Sequence, residues 1–453
     1  MKDFRDLGDR IHAAWARCHF DEARFSGIAV EAIREADPRA LFDHDEVLAE
    51  WLFGPGALEH SRNAEFGEPP ITVYSSSRFM IEILHWLDGT PSIHQHGWSG
   101  AFCVLEGSSL HSTFAFEPAH RITSSLRVGE LELERAELLR AGDCRAIRAG
   151  GELIHSVFHL DRPSISLVVR TYQERDQLPQ WSYVKPYIAF DPYAPDFLRG
   201  RRLRKMLDLL AVTDSARYRA LVERVAGEGD LGLVWPLLQQ CHGQWEGVGR
   251  RPPGVDPGSL RAGLRTRFGD LTDRLFATCE EEMRTASLVR LRTEVTDPRL
   301  RVFLALLMNV STRERIFELV AAYAGEDPRD TIRSWLRQLT VEGSRASVRL
   351  LSVRLMLDVL PVGTTAAELI LRAIDAMTSG LRGDDLVREM LSVFETAGLG
   401  DARGRILDLE QLLASSVLRP LFTSLPAGVA TPDLADVRGD RVGAALQNSQ
   451  QAE

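Results

Sequence analysis

Between residues 71 and 172 the chain is written in short β-type runs: ITVYSSS, RFMIEILHWL, GAFCVLEG, SSLHSTFAFE, LRVGELELERAELLRAGD, CRAIRAGG, LIHSVFHL and SISLVVRTY, each bounded by turn residues. Many short apolar, β-branched or aromatic strands at even spacing can bury their faces only against one another, which predicts an all-β barrel or sandwich. After Pro192-Tyr193-Ala194-Pro195 the texture changes. LRKMLDLLAV, LVWPLLQQC, RLRVFLALLMNV, RERIFELVAAY, TIRSWLRQL, AAELILRAIDAM and DLVREMLSVFETAG carry apolar residues at i, i+3, i+4 and i+7, the period of an amphipathic helix. Ser311-Thr312 and Asp330-Thr331 read as N-caps.

Helical spacing also marks residues 21 to 54, through Ile28, Ala29, Ala32 and Ile33 and then Val47, Leu48, Trp51 and Leu52, with Gly54-Pro55-Gly56 as the stop. A chain of 453 residues exceeds one ordinary core. The expected organisation is a helical lead-in over 1–61 that packs on the barrel, a β-barrel over 62–190, an all-α domain over 191–425 and a frayed polar tail over 426–453.

Several function classes fall away on composition. At 44% apolar and 26% charged the chain reads as ordinary globular protein, and its apolar stretches are broken by Arg every few residues, which excludes a membrane-spanning protein. A net charge of -10 lacks the basic excess of a phosphate-backbone binder, so nucleic acid is not an expected partner. STRERIFELVAAYAGEDPRDTIRSWLRQL accordingly reads as two adjacent bundle helices rather than a DNA-reading unit. The start, MKDFRDLGDRIHAAW, has no apolar leader, and the expected compartment is the cytoplasm. Cys18, Cys103, Cys144, Cys241 and Cys279 form no CxxC pair, so neither a disulfide framework nor a thiolate zinc site is expected. Lys2, Lys185 and Lys205 are the only lysines, an arginine bias that points to a high-GC bacterial source.

The segment HWLDGTPSIHQHGWSGAFCVLEG carries the chemistry, followed some sixty residues later by AGDCRAIRAGGELIHSVFHLDRPSISLVVRTY. His94 and His96 stand two apart in an apparent strand, and period-2 geometry turns both imidazoles to one face, where they can chelate one ion. His155, after the Gly150-Gly151 turn, supplies a third imidazole. Three histidines leave a divalent ion with open positions, as a catalytic rather than a structural site requires. His85, His111 and His159 read as core histidines, and Cys103 and Cys144 as barrel core. Glu106, far from His96 at a hairpin end, reads as dispensable for the metal.

This pattern resembles the two motifs of the cupin superfamily, GxxxxHxH with a downstream Gly and then a Gly-rich turn with a lone His. Here Gly89, His94, His96 and Gly107 match the first, and Gly150, Gly151 and His155 the second. It is most similar to the cysteine dioxygenase branch, in the apolar strand Met80 to Trp86, the SIHxH run Ser92 to His96 and the hairpin end Val104 to Gly107, over roughly residues 71 to 172. The resemblance implies a jelly-roll barrel and iron(II) as the metal, with zinc or nickel as alternatives on the same ligands.

The departures bear on substrate. Where most cupins place a glutamate ligand this chain has Gly100 and Ala101, so the fourth protein ligand is missing. The family's Ser-x-His-x-Tyr series becomes Ser166, Val168 and Arg170, the crosslinking cysteine falls at or beside Ala101, and no arginine stands near Thr72 to Tyr74. On the strand from Phe79, alternation puts Glu82, Leu84 and Trp86 on one face, expected to look into the cavity, with Glu82 able to pair with Arg170. Glu82, Trp86, Ser166 and Arg170 are therefore the candidate substrate-facing residues.

The expected activity is a mononuclear non-haem iron(II) oxygenase that takes dioxygen and a small molecule, or a carrier- or peptide-bound substrate, other than free cysteine. The helical domain would then present a protein or carrier partner. The alternatives are a non-catalytic ligand-sensing cupin whose helical domain binds a partner, and a zinc or nickel isomerase or hydrolase.

Overall fold

The computed structural model describes residues 2–37, 40, 42–53, 70–87, 92–172, 174–245, 254–340 and 364–424. Three helices lead in: α1 (Lys2–Arg17), α2 (Glu22–Ala36) and α3 (His44–Phe53). The strands are β1 (Pro70–Ser75), β2 (Phe79–Trp86), β3 (Ile93–Gln95), β4 (Gly100–Glu106), β5 (Ser108–Arg121), β6 (Leu126–Arg140), β7 (Cys144–Ile147), β8 (Ile154–His159), β9 (Ser164–Thr171), β10 (Ser182–Val184) and β11 (Ile188–Phe190). They form a five-stranded sheet, β1-β2-β9-β4-β7, and a closed six-stranded barrel, β10-β11-β6-β5-β8-β3. The architecture is compatible with a cupin-like fold.

Strand periodicity sets which side chains meet the cavity. In β2 the residues Phe79, Ile81 and Ile83 join Ala101, Cys103, Leu105, Ile165, Leu167 and Val169 in a core shared with Phe4, Leu7, Ile11 and Trp15 of α1 and Phe25, Ala29 and Ile33 of α2. The alternate residues Met80, Glu82, Leu84 and Trp86, with Phe102, Ser166, Val168 and Arg170, line the cavity on the other face. Cys103 and Cys144 are buried, as expected, and sit directly opposite each other on the helix-facing side. Helix α1 precedes the helical spacing read from 21 to 54, and its charges form the exposed face opposite the Phe4, Leu7, Ile11 and Trp15 stripe. Gly54-Pro55-Gly56, Gly89 and the tail from 426 lie outside the described residues.

The later helices are α4 (Pro195–Thr213), α5 (Ser215–Glu228), α6 (Leu231–Trp245), α7 (Pro257–Phe268), α8 (Leu271–Glu294), α9 (Pro298–Asn309), α10 (Arg313–Ala324), α11 (Pro328–Thr340), α12 (Thr364–Thr378), α13 (Gly383–Thr396) and α14 (Ala402–Ser415). Thr312 does precede α10, without a side-chain cap bond. Asp330 is not the cap of α11; Asp327 is, its carboxylate accepting from the backbone N–H of Arg329 at 2.9 Å and of Asp330 at 3.1 Å, because Pro328 takes the first helical position. None of these helices is long and apolar enough to cross a membrane.

The helices pack on the barrel's outer wall. Leu110, Ala136, Phe158 and Leu160 share one core with Leu288, Phe303, Leu307 and Ile316, while Leu126, Val128 and Ile188 join Leu203, Leu207 and Tyr218 in another. Between them lies a buried charge cluster. Arg284 donates to both oxygens of Glu281 at 2.7 and 2.8 Å, Arg419 adds another bond, and Lys185, just after β10, stands 3.6 Å away and donates to the Met308 carbonyl at 2.7 Å.

Burial alone would raise the Glu281 carboxyl, but the bonds from Arg284 and the charges of Lys185 and Arg419 outweigh it and hold the group down to about 2. The charged form is thus favoured by the fold. Its contribution is fully present above the ordinary value of 4.5 and is lost as pH falls from there towards about 2. Glu281→Gln, which leaves Arg284 buried without its carboxylate, is expected to cost about 3–5 kcal/mol at pH 7 and to flatten the loss of stability between pH 4.5 and 2, measured by urea unfolding across that range. Unchanged stability would show the cluster to be incidental.

Candidate metal centre

Strand β3 is only three residues long and is held from both sides. His94 lies opposite His155 of β8 and opposite Ser182 of β10, and the Gln95 amide oxygen accepts from the Tyr183 hydroxyl at 2.6 Å. One residue on, the His96 carbonyl accepts from the Gly150 N–H at 2.7 Å. Gly150 has φ of +73°, a conformation glycine adopts without penalty, so the Gly150-Gly151 turn read from the sequence is what closes this contact. The loop after His96 is tied down as well: Ser99 N–H donates to Thr171 Oγ1 and Glu174 Oε1, both at 3.0 Å.

His94, His96 and His155 are all buried and offer ring nitrogens within 4.8 Å of one another, the only such cluster of His, Cys, Asp or Glu among the described residues. Two of the three have their outer nitrogen fixed. His94 Nδ1 donates to the Ser92 carbonyl at 2.8 Å, which leaves the Nε2 lone pair for the site. His155 Nδ1 stands 3.1 Å from His111 Nε2, and His111 Nδ1 stands 3.1 Å from Glu137 Oε1.

A carboxylate only accepts, so in the neutral chain Glu137 holds the His111 proton on Nδ1; His111 Nε2 then accepts from His155 Nδ1–H, and the His155 Nε2 lone pair is turned inward. Arg145 anchors the far end through bonds of 2.9 and 2.7 Å to Glu137. Burial acts to raise the Glu137 carboxyl, but the bonds from His111 and Arg145 prevail and hold it well below the usual carboxylate range.

His96 Nε2 faces His155 Nε2 at 2.8 Å, close to the separation of about 3 Å expected for two imidazoles bound at right angles to one ion at about 2.1 Å. His96 Nδ1 is buried without a partner among the described residues, so no bond fixes its tautomer from the outer side. Burial first, then His94 and Arg170, lower the His96 pKa well below its ordinary value, and burial lowers those of His94 and His155 too. All three are thereby kept in the neutral form a metal needs. The donor set, its orientation and its protonation fit a divalent ion.

The missing fourth ligand has a steric cause. Gly100 lies where β4 passes β9 so closely that a Cβ would run into the Val169 carbonyl oxygen, and Ala101 points the other way, into the core with α1 and α2. Glu106 is at the exposed end of β4.

The cavity around the histidines has a volume of about 1500 Å³ and is lined on the inner face by Glu82, Trp86, Ser166 and Arg170, all four of the residues expected there. Glu82 is buried and accepts from Arg170 Nε at 2.6 Å, the pairing that alternation predicted. Trp86 stacks on His159 with centroids 4.4 Å apart. Three participants escaped sequence reading. His111 and Glu137 orient His155 from outside the motif, and Trp98 lies with its ring 4.0 Å from that of His96 and 5.8 Å from the Arg170 guanidinium. His159, read as core, is buried but also lines the cavity, with Nδ1 held by Ser109 and Ser164 at 3.2 Å each. The period-2 series His155, Val157, His159 was the available signal.

No protein-family model matches the chain, and no curated protein matches its sequence.

His94→Ala, His96→Ala and His155→Ala are each expected to remove most of the metal from a protein that otherwise holds about one ion per chain, measured by elemental analysis after dialysis. Full occupancy in His155→Ala would sink the third ligand. Glu137→Gln frees His111 to take the other tautomer and should weaken metal binding about 10- to 100-fold in calorimetric titration. An affinity equal to the parent's would show that the chain of bonds does not orient His155.

Proposed function

We propose that this protein is a mononuclear iron(II) oxygenase on a cupin jelly-roll, acting on an anionic substrate other than free cysteine. The observation that carries the reading is the convergence of three neutral imidazoles on one side of a large cavity whose wall also bears a fixed guanidinium. Three neutral ligands and no carboxylate leave room for a substrate donor atom and dioxygen together. Bound iron would supply the redox chemistry of oxygen activation.

The chain's own residues have three tasks. His94, His96 and His155 hold the ion, and the bonds through Ser92, His111 and Glu137 keep their lone pairs aimed at it. Arg170 is steadied by its Nε bond to Glu82, which leaves its terminal nitrogens to take a carboxylate or similar oxyanion in bidentate fashion. Leu84, Phe102 and Val168 give the cavity an apolar floor. Free cysteine suits this cavity poorly, because Val168 and Arg170 stand where the related enzymes carry histidine and a thiol-facing tyrosine.

Oxygen uptake by iron-loaded protein, tested against a panel of thiols and carboxylates, is the direct test; a protein that retains zinc or nickel on purification and consumes no oxygen would favour the hydrolase or isomerase alternative. Arg170→Ala should leave metal content unchanged and weaken substrate binding about 10- to 100-fold, at about 1.4 kcal/mol per decade. It also strands Glu82 inside the barrel, so stability should fall by about 3–5 kcal/mol. The pair Glu82→Gln with Arg170→Met separates the two effects: it should recover stability but not binding. Full binding in that double variant would remove Arg170 from recognition.

A further inference from the structure

Helix α4 begins at the mouth of the cavity. Tyr193, Ala194 and Pro195 line that mouth beside Leu178, and Tyr193 and Leu178 are 71% and 44% exposed. One face of α4 is accounted for: Gly200, Leu203 and Leu207 are buried, with both leucines in the core with Tyr218 and Trp235. The opposite face is mixed, with Leu198, Met206, Leu209 and Val212 exposed at 46%, 47%, 54% and 62% among charged residues. At about 100° per residue, Leu198, Arg202, Lys205, Leu209 and Val212 fall within roughly 80° of arc, over a length of about 21 Å.

Cations are interleaved with this stripe. Arg199 pairs with Asp230 at 3.0 Å and Arg204 bonds Gln239, but among the described residues no ion pair engages Arg201, Arg202 or Lys205, all exposed. Three unneutralised cations within five residues stand out on a chain of net charge -10. Exposed apolar side chains interleaved with unpaired cations give this face the mixed chemistry of a polar-rimmed protein contact.

We propose that this face of α4 docks an acidic protein that delivers the substrate on a flexible covalent arm through the adjacent mouth. The inference rests on reading the cavity as a substrate site. Charge complementarity argues for an acidic protein surface, whose carboxylates would meet Arg201, Arg202 and Lys205 while its apolar residues cover Leu198, Leu209 and Val212. A lipid surface fits less well: Arg202 and Lys205 lie in the middle of the stripe, so seating the leucines in acyl chains would drag two charges down with them, whereas interfacial helices segregate charge to the opposite face. The cavity, at about 1500 Å³, exceeds the usual range for a small-molecule pocket of about 300–1,000 Å³ and has room for an arm as well as its terminal group.

The test uses the full chain and a fluorescently labelled acyl carrier protein bearing a phosphopantetheine arm, read by anisotropy, with anionic phospholipid vesicles as the competing surface. Saturable binding is expected, reduced at least tenfold in Arg201→Glu/Arg202→Glu/Lys205→Glu and weakened by salt, while the melting temperature and metal content of that variant match the parent because all three positions are exposed. Docking should persist in His155→Ala, which lacks the third ligand. Failure of the metal reading would therefore appear as a metal-free parent that still docks, and failure of the docking reading as a metal-loaded parent that does not. Absent binding, binding indifferent to the triple substitution, or a preference for vesicles would each overturn the proposal.

Discussion

Strands β2, β4 and β9 have to bury both of their faces, and the rest of the molecule follows from how they do it. One set of side chains, from Phe79 through Ile83, Ala101 through Leu105 and Ile165 through Val169, packs against the N-terminal helices; the alternate set looks into the cavity. Because the side-chain period is two, a slip of one residue would exchange the sets, placing Glu82 and Arg170 among the phenylalanines of α1 and α2 and turning isoleucines towards the three histidines. Register here is fixed by apolar burial on the helix side, so the helices that appear peripheral to the site determine which residues form it. Gly100 belongs to the same constraint: the close pass of β4 over β9 that lets the two strands pack also forbids a ligand at that position.

The histidines impose a second requirement, since three imidazoles brought within ligand distance would repel one another if charged and leave donors unmatched if wrongly protonated. Burial solves the first problem by disfavouring the charged forms. Directed bonds solve the second, for His94 through a backbone carbonyl and for His155 through His111 and Glu137. His111 lies on β5 and Glu137 on β6, so the long hairpin that builds the barrel wall is also what sets a proton on the ligand. His96 Nδ1, by contrast, has no hydrogen-bond partner among the described residues.

The parts of this arrangement legible in the sequence are those carried by local period. Strand alternation placed Glu82 and Trp86 on one face, within reach of Arg170; the two-residue spacing of His94 and His96 and the Gly150-Gly151 turn before His155 marked the three histidines. What escaped was non-local or too short to have a period. Strands β10 and β11 are three residues each and exist because β3 and β6 offer them edges. The cap of α11 was misplaced by three residues because two aspartates flank Pro328, and only the backbone geometry tells which one bonds the free N–H groups. His111 and Glu137 are 26 residues apart and 44 and 18 from His155, and nothing in the spacing of either pair announces that the barrel makes them neighbours.

The relation between barrel and helices follows from where apolar surface remains. The outer wall formed by β5, β6 and β8 carries Leu110, Ala136 and Phe158, and these residues are buried only because α8, α9 and α10 cover them. Arg315 reaches back to the Ala136 carbonyl at 2.9 Å and Arg292 to that of His159 at 2.8 Å, each satisfying a backbone acceptor on the covered wall. A barrel cut away from these helices would expose that wall and leave the acceptors to water, while the helices would lose the surface that closes their own core. The strand that carries His155 is thus clamped from outside by Arg292, which holds His159 at its far end, and from inside by the ligand triad.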